Sequence, residues 1–514
     1  MTLKEAYELL RREVLALRKE NSKLKTGTYI DADRKAHEKR IKQLERELAN
    51  KSKEADRYHD LWRKGRYSSD LLDELASVKK QLKEALAIIA KLKAQMNRNH
   101  ENSSLASSQK PFRKKIKNSR KKTERKPGGQ HGHIGYKRPH LESTAPVITL
   151  PVPKSITNNT DFYPTNEFIT KQVADIEVNV IVTEYKAQVY RSHSTGRRVH
   201  APFPKGVINE FNYGENTKAL AFLLNNYCNV SIDKTSELIS GLTNEKIILS
   251  KGLINSLPKQ FSIATEEERQ KIFSLLLMAP YMHTDATPGK VNGKTVQVFV
   301  CANHDEILYS FREHKGHQGI KDTPIEIYQQ TLIHDHDVTF YNYGNDHQEC
   351  LAHVLRYLQD SIENEPALKW NTSMKALLSA VIHEVKQDRN LSKERILEIE
   401  MQYDDILYTA EREYDLHPPN KYYRDGLNLA LRLKEYRDNH LLFLHRPEIE
   451  YTNNISERAL RKFKRKFKQA VTFRSNESVE LLCNCMSILE TRRLQGCNLY
   501  ATAKDGFLIQ NSTL

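Results

Sequence analysis

Cysteine is scarce. Six occur in 514 residues, and Cys228, Cys301, Cys350, Cys483, Cys485 and Cys497 lack the regular spacing of a disulfide framework. That usage suits a reducing compartment. No apolar run approaches the ~18 residues that span a bilayer. The charged opening "MTLKEAYELLRREV" does not read as a secretory signal. These absences point to a soluble, cytoplasmic protein with no membrane partner. Acid is in short supply too: 65 Asp+Glu against 81 Lys+Arg leave a net charge of +16. The balance favours an anionic partner, most simply nucleic acid.

The shortage of acid is sharpest in two places. From Lys110 to Arg138 there are twelve Lys/Arg and one acid, Glu124. Gly128, Gly129, Gly132 and Gly135 oppose regular structure there, and such a segment cannot bury a core. Its cations Arg113, Lys114, Lys115, Arg120, Lys121 and Lys122 suit phosphate contacts. The alternative is an inert charged linker. In the second place, seven of the eleven residues from Arg458 to Lys468 are Lys or Arg and none is acidic. Glu457 stands at the head of that run. Asn454-x-x-Glu457 fits a capping-box helix start, and Glu457 with Arg461 is spaced for a salt bridge. Helical phase puts Ile455, Ala459, Leu460, Phe463 and Phe467 on an apolar stripe, and Glu457 opposite it with Arg461, Lys464 and Lys468. A carboxylate on such a face can bind metal while its neighbours hold phosphates.

Pattern divides the chain into six stretches. Residues 1–99 carry heptad spacing, as in Leu3, Tyr7, Leu10, Val14, Leu17, Asn21 and Leu24. It recurs in Leu71, Leu75, Val78, Leu82, Ala85, Ile89, Leu92 and Met96. Sustained heptads predict a coiled coil and self-association; the alternative is a helix pair folded back on itself. Residues 100–140 form the basic flexible linker. Residues 141–212 read as a small β module, with "KQVADIEVNVIVTEYKAQVYR" alternating apolar and polar and "HSTGRR" as its turn. Residues 213–280 return to helical spacing, as a helical DNA-binding region. From 281 to 475 strands precede helices, which predicts an α/β core with a charged helical insertion over 361–446. "YMHTDATPG", "TVQVFVCAN", "EILYSFREH" and "TLIHDHDV" read as strands, and "DHQECLAHVLRYLQD" as one helix. Residues 476–514 form a C-terminal helical tail.

Several of these pieces, in order, resemble DDE transposases of the insertion-sequence-66 type. "NSSLASSQKP" and "RKPGGQHGH" resemble the family's linker signatures, and "VTEYKAQVYR" with "GRRVHAPFPKG" its small β module. "HTDATPGKVNGK" resembles the segment of the first catalytic Asp, "ECLAHVLRYL" the helix after the second, and "TNNISERALR" the segment of the catalytic Glu. The resemblance implies a ribonuclease-H-like catalytic domain with Asp285, Asp335 and Glu457 as its triad. It implies a transposase that cleaves DNA and joins the freed 3′-hydroxyl to target DNA. Two divalent ions, Mg²⁺ or Mn²⁺, ~3.5–4 Å apart suit that chemistry, with the three carboxylates as ligands. Arg458, Arg461, Lys464 and Lys468 would hold the DNA. Expected partners are the terminal inverted repeats and target DNA, a second copy through the coiled coil, and small accessory proteins of the same element. The expected location is the cytoplasm, at the nucleoid.

Some positions stay open or depart from the family. Asp337 competes with Asp335, which is preferred because it follows the apolar strand "LIH". His283 is expected to line the site. Cys350 and His353 resemble the family's Cys-x-x-His feature; a metal site with His347 is conceivable, but a site-adjacent structural role for His353 is preferred. The family's small β module often binds zinc through paired cysteines. Residues 141–205 hold none, and Ser192 and Thr195 stand where cysteines are expected. No zinc is expected there. Ala286 replaces the Glu usual after the first Asp, and His336 the Gly usual after the second. Those changes keep a second reading in play: an inactive or domesticated DNA-binding derivative. A third is a coiled-coil scaffold whose basic segments bind RNA or acidic proteins.

Overall fold

The structure is a computed structural model describing residues 69–97, 132–135, 138–204, 206–419 and 423–513, with positions 46, 50 and 53. The first heptad block and the linker cations Arg113, Lys114, Lys115, Arg120, Lys121 and Lys122 lie outside the described residues. Among the described residues, no helix is long and apolar enough to cross a membrane.

The second heptad block forms α1 (Ser69–Asn97). Ala85, Ile88, Ile89, Leu92 and Ala94 are buried along it, a wider stripe than a strict heptad seam. The helix packs against the helix Leu351–Asn364 of the same chain. Farther on, the alternating stretch 171–191 yields only a short strand. β1 (Tyr190–Arg191) pairs antiparallel with β2 (Arg198–Val199) around the expected turn. Val173, Ile176, Ile181 and Val182 are exposed. Alternation forms sheet only where one face is covered, and nothing among the described residues covers this one.

Residues 215–278 are helical, as the spacing predicts: α2 (Glu215–Phe222), α3 (Ile232–Leu242), α4 (Lys251–Ala264) and α5 (Glu266–Met278). Ser231 and Ser250 cap α3 and α4 by accepting from Lys234 N and Leu253 N, satisfying otherwise orphaned donors. Phe222 and Phe261 stack at 4.5 Å, with Phe507 edge-on to Phe222.

Five strands follow: β3 (Tyr281–Val291), β4 (Lys294–Ala302), β5 (Ile307–Arg312), β6 (Thr331–His334) and β7 (Asp346–Glu349). They make one mixed sheet in the order β5-β4-β3-β6-β7. β3, β4 and β5 form an antiparallel meander, while β6 and β7 run parallel to β3. Successive side chains on β4 serve opposite faces. Phe299 and Cys301 join the core of α2 to α5, whereas Val298, Val300 and Ala302 join that of the two helices after the insertion.

One element differs from expectation. "DHQE" at 346–349 is strand β7 rather than the start of a helix. The segment has no apolar alternation to announce a strand. It pairs because its polar side chains find buried partners: Gln348 accepts from Phe443 N and donates to His440 O. The helix begins only at Leu351.

After β7 come α6 (Leu351–Asn364), α7 (Trp370–Gln387), α8 (Lys393–Leu416), α9 (Asp425–Glu435) and α10 (Arg437–His445). They share a core around Trp370, Leu378 and Tyr403. The chain returns through α11 (Asn454–Ala470), α12 (Asn476–Leu494) and α13 (Leu499–Thr513). On α11 the predicted stripe is seen: Ala459, Leu460 and Phe463 are buried, with Ile455 and Phe467 packed beside them. Gly289 on β3 permits this, since any Cβ there would collide with the Phe467 ring.

Candidate functional site

The last pair of the β3–β6 ladder is His283 with Ile333. Two residues farther along each chain stand Asp285 and Asp335. Asp335 stands just past the end of β6, near enough for its charge to act on Asp285 in β3. Asp285 Oδ1 accepts the Ala286 N–H at 2.7 Å. Burial first, then the Asp335 carboxylate, push Asp285 up to about 7, against the pull of Ala286, Lys464 and His353.

β7 delivers the next groups. Cys350 directly follows it, donates its backbone N–H to His334 O at 2.9 Å, and caps α6. His353, in the first turn of α6, brings Nδ1 to 2.9 Å from Asp335 Oδ1 and 3.9 Å from Glu457 Oε1. Burial opposes a charged His353, but Asp335 and Cys350 outweigh it and raise the imidazole to about 11.

Glu457 arrives from α11, and Asn453 fixes where that helix begins. The buried Asn453 donates Nδ2–H to Thr284 O at 2.8 Å, and its Oδ1 meets His283 Nδ1 at 3.2 Å. Its backbone N–H points at Cys350 Sγ at 3.1 Å. One residue thus ties α11 to β3 and to α6, beside both aspartates. α11 has no side-chain cap bond, so the capping-box reading of Glu457 is not what the structure shows. The salt-bridge reading is: Glu457 Oε2 accepts from Arg461 at 2.8 Å.

One potential ligand atom from each of Asp335, Cys350, His353 and Glu457 lies within 4.8 Å of the others. Asp335 Oδ1 and Glu457 Oε1 are buried and lack an aligned hydrogen-bond donor. His353 and Arg461 offset part of this negative charge, and the remainder is costly in a protein interior unless a further cation meets it. The donor set therefore fits a divalent cation: hard carboxylate oxygens first, imidazole next, and a thiol whose sulfur already accepts from Asn453.

The other sequence candidates fall as follows. Asp337 is engaged elsewhere, with Lys315 Nζ at 2.8 Å and Thr339 N–H at 3.1 Å, which leaves Asp335 as the acid facing the group. His283 is fully buried beneath the site, and burial lowers it to about 3; it supports Asn453 rather than facing outward. His347 turns away, with Nδ1 3.1 Å from His334 Nε2, because it belongs to strand β7 and not to the helix of Cys350 and His353. Arg458, Arg465 and Lys468 are exposed and Lys464 is half-buried toward Asp285, and none of the four makes a hydrogen bond or salt bridge among the described residues. Lys462 pairs with Glu490 at 2.7 Å, and Lys466, lowered to about 8 by burial, donates to Asn225 O. The basic run is thus split between an open face and one tied into the fold. Asn453 stands within "TNNISERALR", but sequence reasoning gave it no role.

No curated protein matches the chain as a relative. A family model described as Transposase IS66 family matches residues 220–480, half of the chain. All the acids of the site lie within that span, on the strands and helices just described. The chain belongs to the IS66 transposase family.

Proposed function

We propose that the protein cleaves DNA at the ends of a mobile insertion element and transfers the freed strand to target DNA. The observation carrying this reading is the gathering of Asp335, His353 and Glu457 under the basic face of α11, with Asp285 near enough to be raised by the Asp335 charge and one oxygen each of Asp335 and Glu457 without an aligned donor. The family implies a divalent cation and DNA as partner. The finer assignment is two ions, Mg²⁺ or Mn²⁺, on the three carboxylates. Bound there, such ions activate the attacking oxygen and neutralise charge on the leaving one.

The chain's own residues do the rest. Asp285 is held within β3, Asp335 where the chain leaves β6, and Glu457 by the Asn453 clamp, so the three carboxylates are preorganised. His353 sits between Asp335 and Glu457 and orients both. Arg458, Arg461, Lys464 and Lys468 line one side of α11 and bind backbone phosphates. Water attacks the phosphodiester at the element end, breaking the P–O3′ bond and leaving a 3′-hydroxyl. That hydroxyl attacks a target phosphodiester in turn, with no covalent protein–DNA bond.

The strand order, with an antiparallel meander followed by two parallel strands and helices on both faces, supports a ribonuclease-H-like core over 281–475 interrupted by the 361–446 insertion. The small β module 141–212 and helical region 213–280 are assigned to DNA binding, residues 1–99 to coiled-coil pairing of protomers at the nucleoid. Packing of α1 on α6 agrees with a helix seeking apolar cover.

The test is Mg²⁺-dependent nicking of element-end DNA by wild type, Asp285→Asn, Asp335→Asn and Glu457→Gln. Wild type should nick and each variant should fall at least ~1,000-fold, since charge stabilisation of several kcal/mol is removed. Wild type that binds ends but never nicks with Mg²⁺ or Mn²⁺ would favour the inactive derivative and refute the enzyme.

A further inference from the structure

The opposite flank of the α11 N-terminus opens into a cavity of about 330 Å³. That volume is at the lower end for small-molecule sites. It exceeds what a lone phosphate or cation fills and excludes a duplex. Its walls are mixed. Ile455 and Leu494 are apolar, while Asn454 and Arg458 bring polar groups from α11 and Glu450 and His304 face them.

Three observations give these walls a purpose. Arg458 is exposed and has no partner among the described residues, so its guanidinium is available to an anion. Arg389, by contrast, is committed: it donates to Pro447 O and Ile449 O and lies 6.0 Å over the Tyr451 ring. That makes a firm wall. Glu450 is an acceptor held in place, 3.3 Å from His304 Nε2 and 3.8 Å from the fully buried His283 Nε2, which has no aligned partner. A fixed carboxylate in a cavity that also offers apolar Ile455 and Leu494 suits the N–H-bearing edge of a nucleobase.

Helix geometry links the cavity to the acids. Glu457 and Arg458 are consecutive on α11, about 100° apart around its axis. Asn454 and Arg458 therefore face the cavity while Glu457 faces Asp335. His283 also joins the two, touching Glu450 on one side and the Asn453 clamp on the other. A strand that presents one phosphodiester to Glu457 brings its next nucleotide to Arg458.

We propose that this cavity receives one unpaired nucleobase of the DNA end, adjoining the cleaved phosphodiester, with Arg458 on its phosphate. The proposal rests on the reading of the acid group as a DNA-cleaving site. Ends whose terminal pairs are open are then bound better than fully paired ends, because unstacking no longer opposes entry of the base.

The experiment compares binding of the full chain to a forked DNA end, with its last pairs mismatched, and to a blunt duplex otherwise identical. Calcium replaces magnesium, so no cleavage is needed and the result is independent of whether the enzyme reading holds. Wild type should prefer the fork by ~5- to 100-fold, the range of one base contact. The preference should shrink towards one in Thr452→Phe, which fills the cavity, and in Arg458→Ala. A wild type without preference, or a preference intact in both variants, overturns the proposal. If cleavage is found but the fork is not preferred, the cavity assignment alone fails.

Discussion

Two buried acid clusters lie back to back in this protein, and the same two chain segments build both. Asp335 belongs to one and His336 to the other; Cys350 to one and Glu349 to the other. Around Glu349 the protein supplies its own basic partners. His336 Nδ1 is 2.9 Å from Oε2, His440 Nε2 3.3 Å from Oε2 and Arg432 Nη2 3.3 Å from Oε1, while the Tyr341 hydroxyl donates at 2.8 Å. Burial alone would raise Glu349, but His336 and His440 overcome it and hold the carboxyl well below the usual carboxylate range. Around Asp335 the balance is reversed. Three acids share the His353 imidazole and, from the surface, Arg461 and Lys464, and Asp285 is still pushed up. The first cluster sets a basic group of its own within 3.3 Å of each Glu349 oxygen, though Glu349 Oε1 and Arg432 Nη2 are not well aligned, and it fastens α9 and α10 to the sheet. The second leaves charge for something from outside to answer.

That contrast can be broken in a definite order. Glu349→Ala leaves Arg432, His440 and His336 buried without their acid, and should cost ~3–5 kcal/mol in denaturant unfolding. Asp335→Asn relieves like-charge crowding, so its unfolding free energy should stay within about 1 kcal/mol of wild type while nicking is lost. Equal stability losses in the two variants would erase the distinction between the clusters. Next in size is Gly289→Ala. The added methyl meets the Phe467 ring and should cost ~1–3 kcal/mol by overpacking, with nicking reduced because Glu457 rides on α11. The added variant Phe467→Ala should recover part of both losses. The smallest effects belong to the open basic face. Lys464→Ala and Lys468→Ala should each lower the salt slope of DNA binding by about 1 and leave unfolding unchanged. A change in stability without a change in slope would place those lysines with Lys462 and Lys466.

Much of this site is legible in the chain because it depends on local pattern. The β3, β4 and β5 strands show as apolar runs, and the α11 stripe shows as 3.6-residue periodicity. The two departures, Ala286 and His336, become intelligible only in three dimensions. Ala286 packs against the core of the sheet's helical side, and His336 serves Glu349. Strand β7 could not be read, since its polar side chains are paid for by partners about ninety residues away in α10. Asn453 was hidden for the same reason: its contacts reach 103 to 170 positions back.

By itself the sequence determined the composition of the machine: a basic chain, heptad spacing near its start, an α/β core, and motifs that resemble one family. The spacing and the core follow from nearest-neighbour preferences and burial periodicity, which act within a few residues; the acids follow from the resemblance. Only the tertiary structure decided which acids meet, which are balanced from within, and which face of α11 stays open. Those outcomes depend on long-range register and on scarce buried partners. Asp335 and His336 are adjacent in sequence, yet one faces an acid group with charge left unbalanced and the other joins a cluster answered by its own basic side chains.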